Sequence, residues 1–368
     1  MKATRVHSQY SVYPGRLVVL IAIVLLLFAI CRTFAGGLKA ALLSPREVSQ
    51  SKLGSLKAEG YTAAGICLSD SNLPAQTSAA AQISKSDLAL YYWIEIGRNP
   101  TLADSHPEWM ASIQTHQEYR RFFPDLPQAE TNEVVKNYPW VPVLYKETFP
   151  VHLDRVRHLL DGKPKPAGIF LNDLQGAPSA CGCGHHLCRW TTDYGPLTTA
   201  TRLPNDAAAR FVGEVQKLAP EARVIPVWTS ECEEVDAKTF CAGVNCFKGT
   251  CWREFTAQLK VLADCSQTIA ALLPYKAFQR DLPEYGPSAG WIRHALDSFS
   301  VMPMRYGTNG VSTKRLIAVL QGWDVTSQQI AAQLDQAQKA GAAGALVSFI
   351  PIEQAWEPRV FKMADLVR

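Results

Sequence analysis

Eight short apolar runs punctuate the chain, most of them followed by a stretch with helical spacing: Ala63–Cys67, Ala89–Ile96, Val141–Tyr145, Gly168–Leu171, Val224–Trp228, Ile269–Pro274, Leu316–Leu320 and Ala345–Ile350. Most of them end in polar residues. Short apolar runs of this kind are the pattern of buried parallel strands, covered by helices on one face and by a packed core on the other. Eight strand–helix units are what a (β/α)8 TIM barrel needs, and that architecture places chemistry at the C-terminal strand ends. The expected fold class is α/β: one barrel domain over residues 37–368, with long Cys-rich loops after the fourth and fifth strands.

The segments between the runs refine this picture. Ser44-Pro45-Arg46-Glu47 combines an N-cap serine, a proline at the first helical position and a glutamate placed for a capping box, so a helix should open there and end near Gly60. Gly37 to Leu43 reads as a short linker. The longest connection, Asn99 to Pro139, is expected to be a functional loop or a small inserted element. Asp206 to Leu218 carries an apolar stripe at Ala208, Phe211, Val212, Val215 and Leu218, and a last full helix is expected over Ser327–Ala340, closed by Gly341.

Residues 1–36 differ from the rest. Leu17 to Cys31 is an unbroken apolar run of 15 residues behind Lys2, Arg5 and Arg16. That is a signal-peptide pattern, and a spanning helix needs ~20 apolar residues. Thr33-Phe34-Ala35 could precede a cleavage site; an uncleaved anchor is the alternative, with membrane attachment through this segment. Either way the bulk of the chain is expected outside the cytoplasm: periplasmic, extracellular or anchored facing outward. The net charge of +4 comes from Lys2, Arg5, Arg16 and Arg32, and the remainder holds 33 basic and 33 acidic side chains. A neutral domain without basic clusters has no electrostatic footprint for nucleic acid.

Acids and aromatics gather where the runs end. In Tyr91-Tyr92-Trp93-Ile94-Glu95-Ile96, alternation places Trp93 and Glu95 on one face and Tyr92, Ile94 and Ile96 on the other. The second set suits a helix cover, so Glu95 should point into the barrel, as an acid at work or in an ion pair with Arg98 or Lys146. Later runs end Asn172-Asp173, Trp228-Thr229-Ser230-Glu231, Tyr275-Lys276 and Trp323-Asp324, and Glu353 follows the last. Glycoside hydrolysis needs two carboxyls whose environments push their pKa values apart, and tryptophans such as Trp93, Trp109, Trp228 and Trp323 are platforms on which sugar rings stack.

These residues carry a resemblance. The Trp/Glu strand, the long loop with His106-Pro107-Glu108-Trp109, and Gly168-Ile169-Phe170-Leu171-Asn172-Asp173 together look like the glycoside-hydrolase-type TIM barrels. Many of those carry a Pro-Glu-Trp turn after strand two and a Gly-Ile-x-x-Asp pattern on strand four. The resemblance implies a glycan-related barrel. It departs at the chemistry: the amylase-like nucleophile would fall on Asn172, and the Asn-Glu ending of another large group is here Asn172-Asp173. No glutamate ends the seventh strand, where that second group keeps its nucleophile.

Cys181, Cys183, Cys188, Cys232, Cys241, Cys246 and Cys251, with His185 and His186, lie on the loops after the fourth and fifth strands. In an exported chain they read as disulfides stapling long loops; zinc or an iron–sulfur cluster is the alternative. Walker, dinucleotide, serine-elbow and His-Glu-x-x-His motifs are all missing from the sequence. The reading is an exported glycoside-hydrolase-like protein using paired carboxylates and no organic cofactor. Asp173 is the expected acid, Glu231 its partner and Glu95 a third candidate. Asn172, Trp228, Trp323, Asp324, Tyr275, Lys276, His106, Trp109 and Glu353 are expected to shape the sugar site. The alternative is a non-catalytic glycan-binding or metal-binding surface barrel.

Overall fold

The computed structural model describes residues 37–110, 130, 132–143, 147–174, 202–229, 263–276, 290–305, 310–352 and 357–366. The chain divides at Gly37 and Leu38 into two units. The first lies outside the described residues, apart from Gly37 itself, and the second holds the barrel.

Eight parallel strands close on one another in the order β1 (Leu38–Leu43), β2 (Ala63–Leu68), β3 (Ala89–Glu95), β5 (Gly168–Asn172), β6 (Arg223–Thr229), β7 (Ile269–Leu273), β8 (Leu316–Gln321) and β9 (Gly344–Ser348). β9 returns to pair with β1, so no barrel edge is left open. Outside the barrel, β4 (Glu133–Tyr138) and β10 (Glu357–Lys362) form a two-stranded antiparallel sheet. The helices include α1 (Gln50–Ala58), α2 (Leu73–Ser84), α3 (Pro100–Ser105), α4 (Thr148–Leu160), α5 (Arg202–Leu218), α6 (Gly290–Arg305), α7 (Ser327–Lys339) and α8 (Met363–Leu366).

Seven of the eight apolar runs are barrel strands, and the eighth strand is not where the sequence pointed. Leu38–Leu43, read as a linker, is β1, paired with both β2 and β9. Lys39 interrupts its apolar run, and between Leu38 and Leu42 it lines the interior with the small Ala40. The Lys39 ammonium reaches out to the Glu59 carbonyl at 2.7 Å and over the Tyr61 ring. The run Val141–Tyr145 is the converse error. Val141 and the residues through 143 are not strand, and β3 pairs directly with β5. Pro142 has no N–H for a ladder. The Val141 carbonyl is taken by the His152 Nε2–H at 2.8 Å, and that of Pro142 by the Thr148 hydroxyl, both from α4. The two errors cancel in the count, so Gly168–Asn172 remains the fourth barrel strand.

Side-chain alternation fills the barrel. Ala40, Leu42, Ala63, Tyr91, Trp93, Phe170, Ile225, Val227, Ala270, Leu272, Ile317, Val319 and Leu346 form one buried interior cluster. Alternate residues of the same strands, such as Tyr92, Ile94, Leu171 and Trp228, are buried on the opposite face, as helix cover requires. Pro226 is tolerated inside β6 because pairing to β5 ends there and pairing to β7 begins at Val227.

The local signals mostly hold. Glu47 accepts from the Ser44 N–H, but the turn it caps is a short 3-10 segment, Pro45–Glu47. The helix proper starts one turn later behind Ser49, whose side chain caps Lys52. The Asp206–Leu218 stripe lies on α5, with Ala208, Phe211, Val212 and Val215 buried. The last helix is α7, capped by Thr326. The long connection after β3 does hold inserted elements, α3 and β4.

Candidate active site

The same alternation that packs the interior changes character at the C-terminal strand ends. Above Trp93, Phe170, Val319 and Leu346, the next inward positions are Glu95, Asn172, Gln321 and Ser348. The apolar floor thus gives way to a polar layer at the barrel mouth, where a (β/α)8 barrel carries its chemistry.

Glu95 is the centre of that layer. Register pairs it with Asn172 on β5, and the Asn172 Nδ2 donates to Glu95 Oε2 at 2.8 Å. Two residues back on its own strand, the Trp93 Nε1–H donates to Glu95 Oε1 at 2.6 Å. The third partner is Asp173, whose carboxyl shares a hydrogen bond with that of Glu95. No cation faces the Glu95 carboxyl among the described residues, so the expected ion pair with Arg98 is not formed, and Lys146 lies outside them. Desolvation, then the charge of Asp173, pushes the Glu95 carboxyl up to about 8, against the smaller opposing pull of the Trp93 and Asn172 donors.

Strict alternation would turn Asp173 away from the mouth, because Asn172 faces inward. The backbone breaks that alternation at this residue. Asp173 sits in the left-handed region, with φ at 59°, and is 2% exposed. Asp and Asn tolerate that conformation better than other side chains. The ladder continues past both strand ends to hold it: Ile96 N–H donates to the Asn172 carbonyl at 3.0 Å and Gly97 N–H to the Asp173 carbonyl at 3.2 Å. Gly97 is required for that approach, since a β-carbon there would lie 2.6 Å from the Asp173 carbonyl oxygen.

Two further residues complete the corner: Arg155, which has no sequence signal of its role, and Cys67, whose place on an apolar run suits a buried free thiol. Arg155 on α4 donates from Nη1 to the Glu95 carbonyl at 2.8 Å and from Nε to Asp70 Oδ2 at 2.5 Å, binding the exit of β2 to the exit of β3. Cys67 on β2 is a free thiol beside Trp93, and burial together with the nearby Glu95 charge pushes it up to about 12. It stays a neutral thiol at physiological pH.

The other sequence candidates separate. Trp323 packs on the interior cluster and stays partly exposed, as a platform must. Asp324 follows it, exposed and at a φ of 53°. Lys276 and Gln321 knit this rim: the Lys276 N–H donates to Gln321 Oε1 at 3.0 Å, its Nζ to the Asp324 carbonyl, and Gln321 Nε2 to the Trp323 carbonyl. Trp228 is a correction. It lies on the outward face of β6, 1% exposed, and its indole cannot stack on a sugar. Trp93, equally buried, serves as a hydrogen-bond donor instead of a platform. Tyr275 is also buried. His106 and Trp109 stack on each other at 3.7 Å between ring centroids, with His106 Nδ1 on Glu108. Trp109 packs in a second small cluster with Ala103, Met110 and Val141, apart from the interior one.

Glu231, Glu353 and the cysteines Cys181, Cys183, Cys188, Cys232, Cys241, Cys246 and Cys251 lie outside the described residues. Among the described residues, no helix is long and apolar enough to cross a membrane, and no cluster of three His, Cys, Asp or Glu could hold a metal ion.

No family model matches the sequence, and no curated protein does. Glycoside hydrolases are among the solved structures it is similar to. A chitinase from Chromobacterium violaceum shares 9% identity at a TM-score of 0.48, over 85% of this chain and 93% of that one. An endo-1,4-β-D-mannanase from Thermotoga petrophila shares 10% at 0.47, over 86% and 90%. A β-galactosidase from Marinomonas ef1 shares 10% at 0.49, over 86% and 55%. Likeness of this degree carries no argument about chemistry; the barrel stands on its own strand pairing.

Proposed function

We propose that this protein is an exported glycan-acting, hydrolase-like barrel whose proton donor is Glu95. One observation carries the reading: a carboxyl at the barrel mouth, hydrogen-bonded on both oxygens and pressed against Asp173, keeps its proton near neutral pH. Protonating a glycosidic oxygen at pH 7 needs such a carboxylic acid. Trp323, across the mouth on the β8 exit, supplies the partly exposed aromatic face for a sugar ring. The attacking or water-activating carboxylate is assigned to Glu231, which follows β6 in the sequence and lies outside the described residues. Disulfide stapling of the Cys-rich loops, and export behind the Leu17–Cys31 segment, belong to the same reading.

The direct contact between Glu95 and Asp173 favours one second reading. Glycosidases hold their two carboxyls ~5–9.5 Å apart to admit the sugar or a water. Two carboxyls already sharing a hydrogen bond leave no such room, so without a third acid the barrel binds glycans and does not cleave them. Hydrolysis assays on the secreted protein distinguish the two. With oligosaccharides, whose leaving groups are poor, Glu95→Gln is expected to slow cleavage roughly 10²–10⁴-fold, and with nitrophenyl glycosides by less. Unchanged cleavage in Glu95→Gln refutes the assignment of the donor; glycan binding with no cleavage by wild type selects the second reading.

A further inference from the structure

Glu95 and Asp173 come from different strands and reach each other by different means. Glu95 arrives by plain alternation on β3, and its two oxygens are held by Trp93 and Asn172. Asp173 arrives through a left-handed turn one residue beyond β5, with its carbonyl pinned by the Gly97 N–H and its carboxyl turned onto Glu95. Glu95 faces Cys67 from β2, Trp93 from its own strand, and Asn172 and Asp173 from β5, while the Arg155 guanidinium from α4 is spent on the Glu95 carbonyl and on Asp70. Both oxygens of Glu95 already accept from neutral donors, so among the described residues the group placed to take its O–H is the Asp173 carboxyl, which is hydrogen-bonded to it.

We propose that Asp173 is a positioning residue that acts through Glu95. It accepts the Glu95 O–H, and the two carboxyls form a single one-proton donor in place of the two halves of a cleavage pair. This rests on the reading of Glu95 as the acid and reverses the roles that the sequence suggested. It also explains the residue type at the fourth strand end. Aspartate tolerates the left-handed conformation of this position better than glutamate does.

The test is a titration of the full-length protein carrying 13C-carboxyl-labelled glutamate, with Glu95 assigned by the signal missing from Glu95→Gln. Asp173→Asn keeps a side chain suited to positive φ and removes the charge. Wild-type Glu95 is expected to titrate far above the ordinary glutamate range, and in Asp173→Asn its midpoint should fall by roughly 1–3 pH units. The Trp93 indole N–H signal should keep its hydrogen-bonded position in the variant, which separates loss of the charge from collapse of the corner. Should Asp173→Asn not fold, Asp173→Gly accepts the same φ and serves in its place. An ordinary Glu95 titration in wild type, or one that neither variant moves, overturns the proposal. No glycan enters this measurement, so it can succeed where glycoside cleavage fails, and the converse. If the protein does cleave glycosides, Asp173→Asn should retain turnover at acid pH and lose its alkaline limb earlier, whereas Glu95→Gln loses turnover throughout.

Discussion

A carboxyl that resists ionisation in the folded state must make the fold less stable as pH rises. Glu95 ionises near 4.5 in the unfolded chain and near 8 in the native one, where desolvation and the Asp173 charge oppose its ionisation. Below about 4.5 both states hold the proton and the site costs nothing. Between 4.5 and 8 the unfolded chain has released a proton that the native state still binds, so stability declines with rising pH. Above 8 both states are ionised and the full penalty stands. At about 1.4 kcal/mol per pH unit the interval is worth on the order of 4–5 kcal/mol, a property of the Glu95–Asp173 pair as a unit. Glu95→Gln keeps the shape, can still accept from Trp93 or Asn172, and cannot ionise. Urea unfolding of wild type and Glu95→Gln from pH 5 to 8.5 should therefore give curves that diverge steadily. The variant should match wild type at the acid end and exceed it by several kcal/mol at the alkaline end. Parallel curves, or a variant weaker than wild type throughout, would show that Glu95 carries an ordinary solvated carboxylate and would remove the proton donor.

Two further outcomes test the scaffold. Gly97→Ala puts a methyl 2.6 Å from the Asp173 carbonyl oxygen, a backbone atom that cannot rotate away, and should destabilise the protein by about 1–3 kcal/mol while lowering the Glu95 titration midpoint; full wild-type stability would contradict the tight approach of the two strand exits. A chain starting at Gly37 should fold, whereas one starting at Pro45, which lacks β1, leaves β2 and β9 with open edges and should aggregate or lose its cooperative thermal transition; equal cooperativity in the two would remove Leu38–Leu43 from the barrel.

The strands that the sequence displays clearly are those whose inward and outward faces both demand bulk. Ala89–Glu95 and Leu316–Gln321 have large side chains on both faces and announce themselves; Leu38–Leu43 lines the barrel partly with alanine and does not. Val141–Tyr145 has the composition of a buried strand because Val141 and Val143 are indeed buried, but Val141 packs in the small cluster with Ala103 and Met110, and the carbonyls of Val141 and Pro142 go to side chains of α4 and not to a barrel strand. Composition reports burial, and only the proline at 142 hints that the ladder is missing.

The site was legible to the same depth and for the same reason. Period-two alternation placed Glu95 inside the barrel beside Trp93, because that follows from the pleat alone, whereas its neighbour Asn172 was hidden by the run Val141–Tyr145, which reads as a strand between theirs although β3 pairs directly with β5. Trp228 obeys the same rule: with Ile225 and Val227 in the interior it faces outward, which its place at a strand end does not reveal. Asp173 lay beyond the rule's reach. Its direction is set by one positive φ, and that in turn by a glycine 76 positions earlier in the chain, which leaves room for its carbonyl. A contact between two strand exits has no local sequence pattern, yet here it brings the Asp173 carboxyl onto that of Glu95. The roles proposed for Glu95 as donor and Asp173 as its positioning partner therefore rest on the approach of Gly97 to the Asp173 carbonyl, which no pattern in either strand encodes.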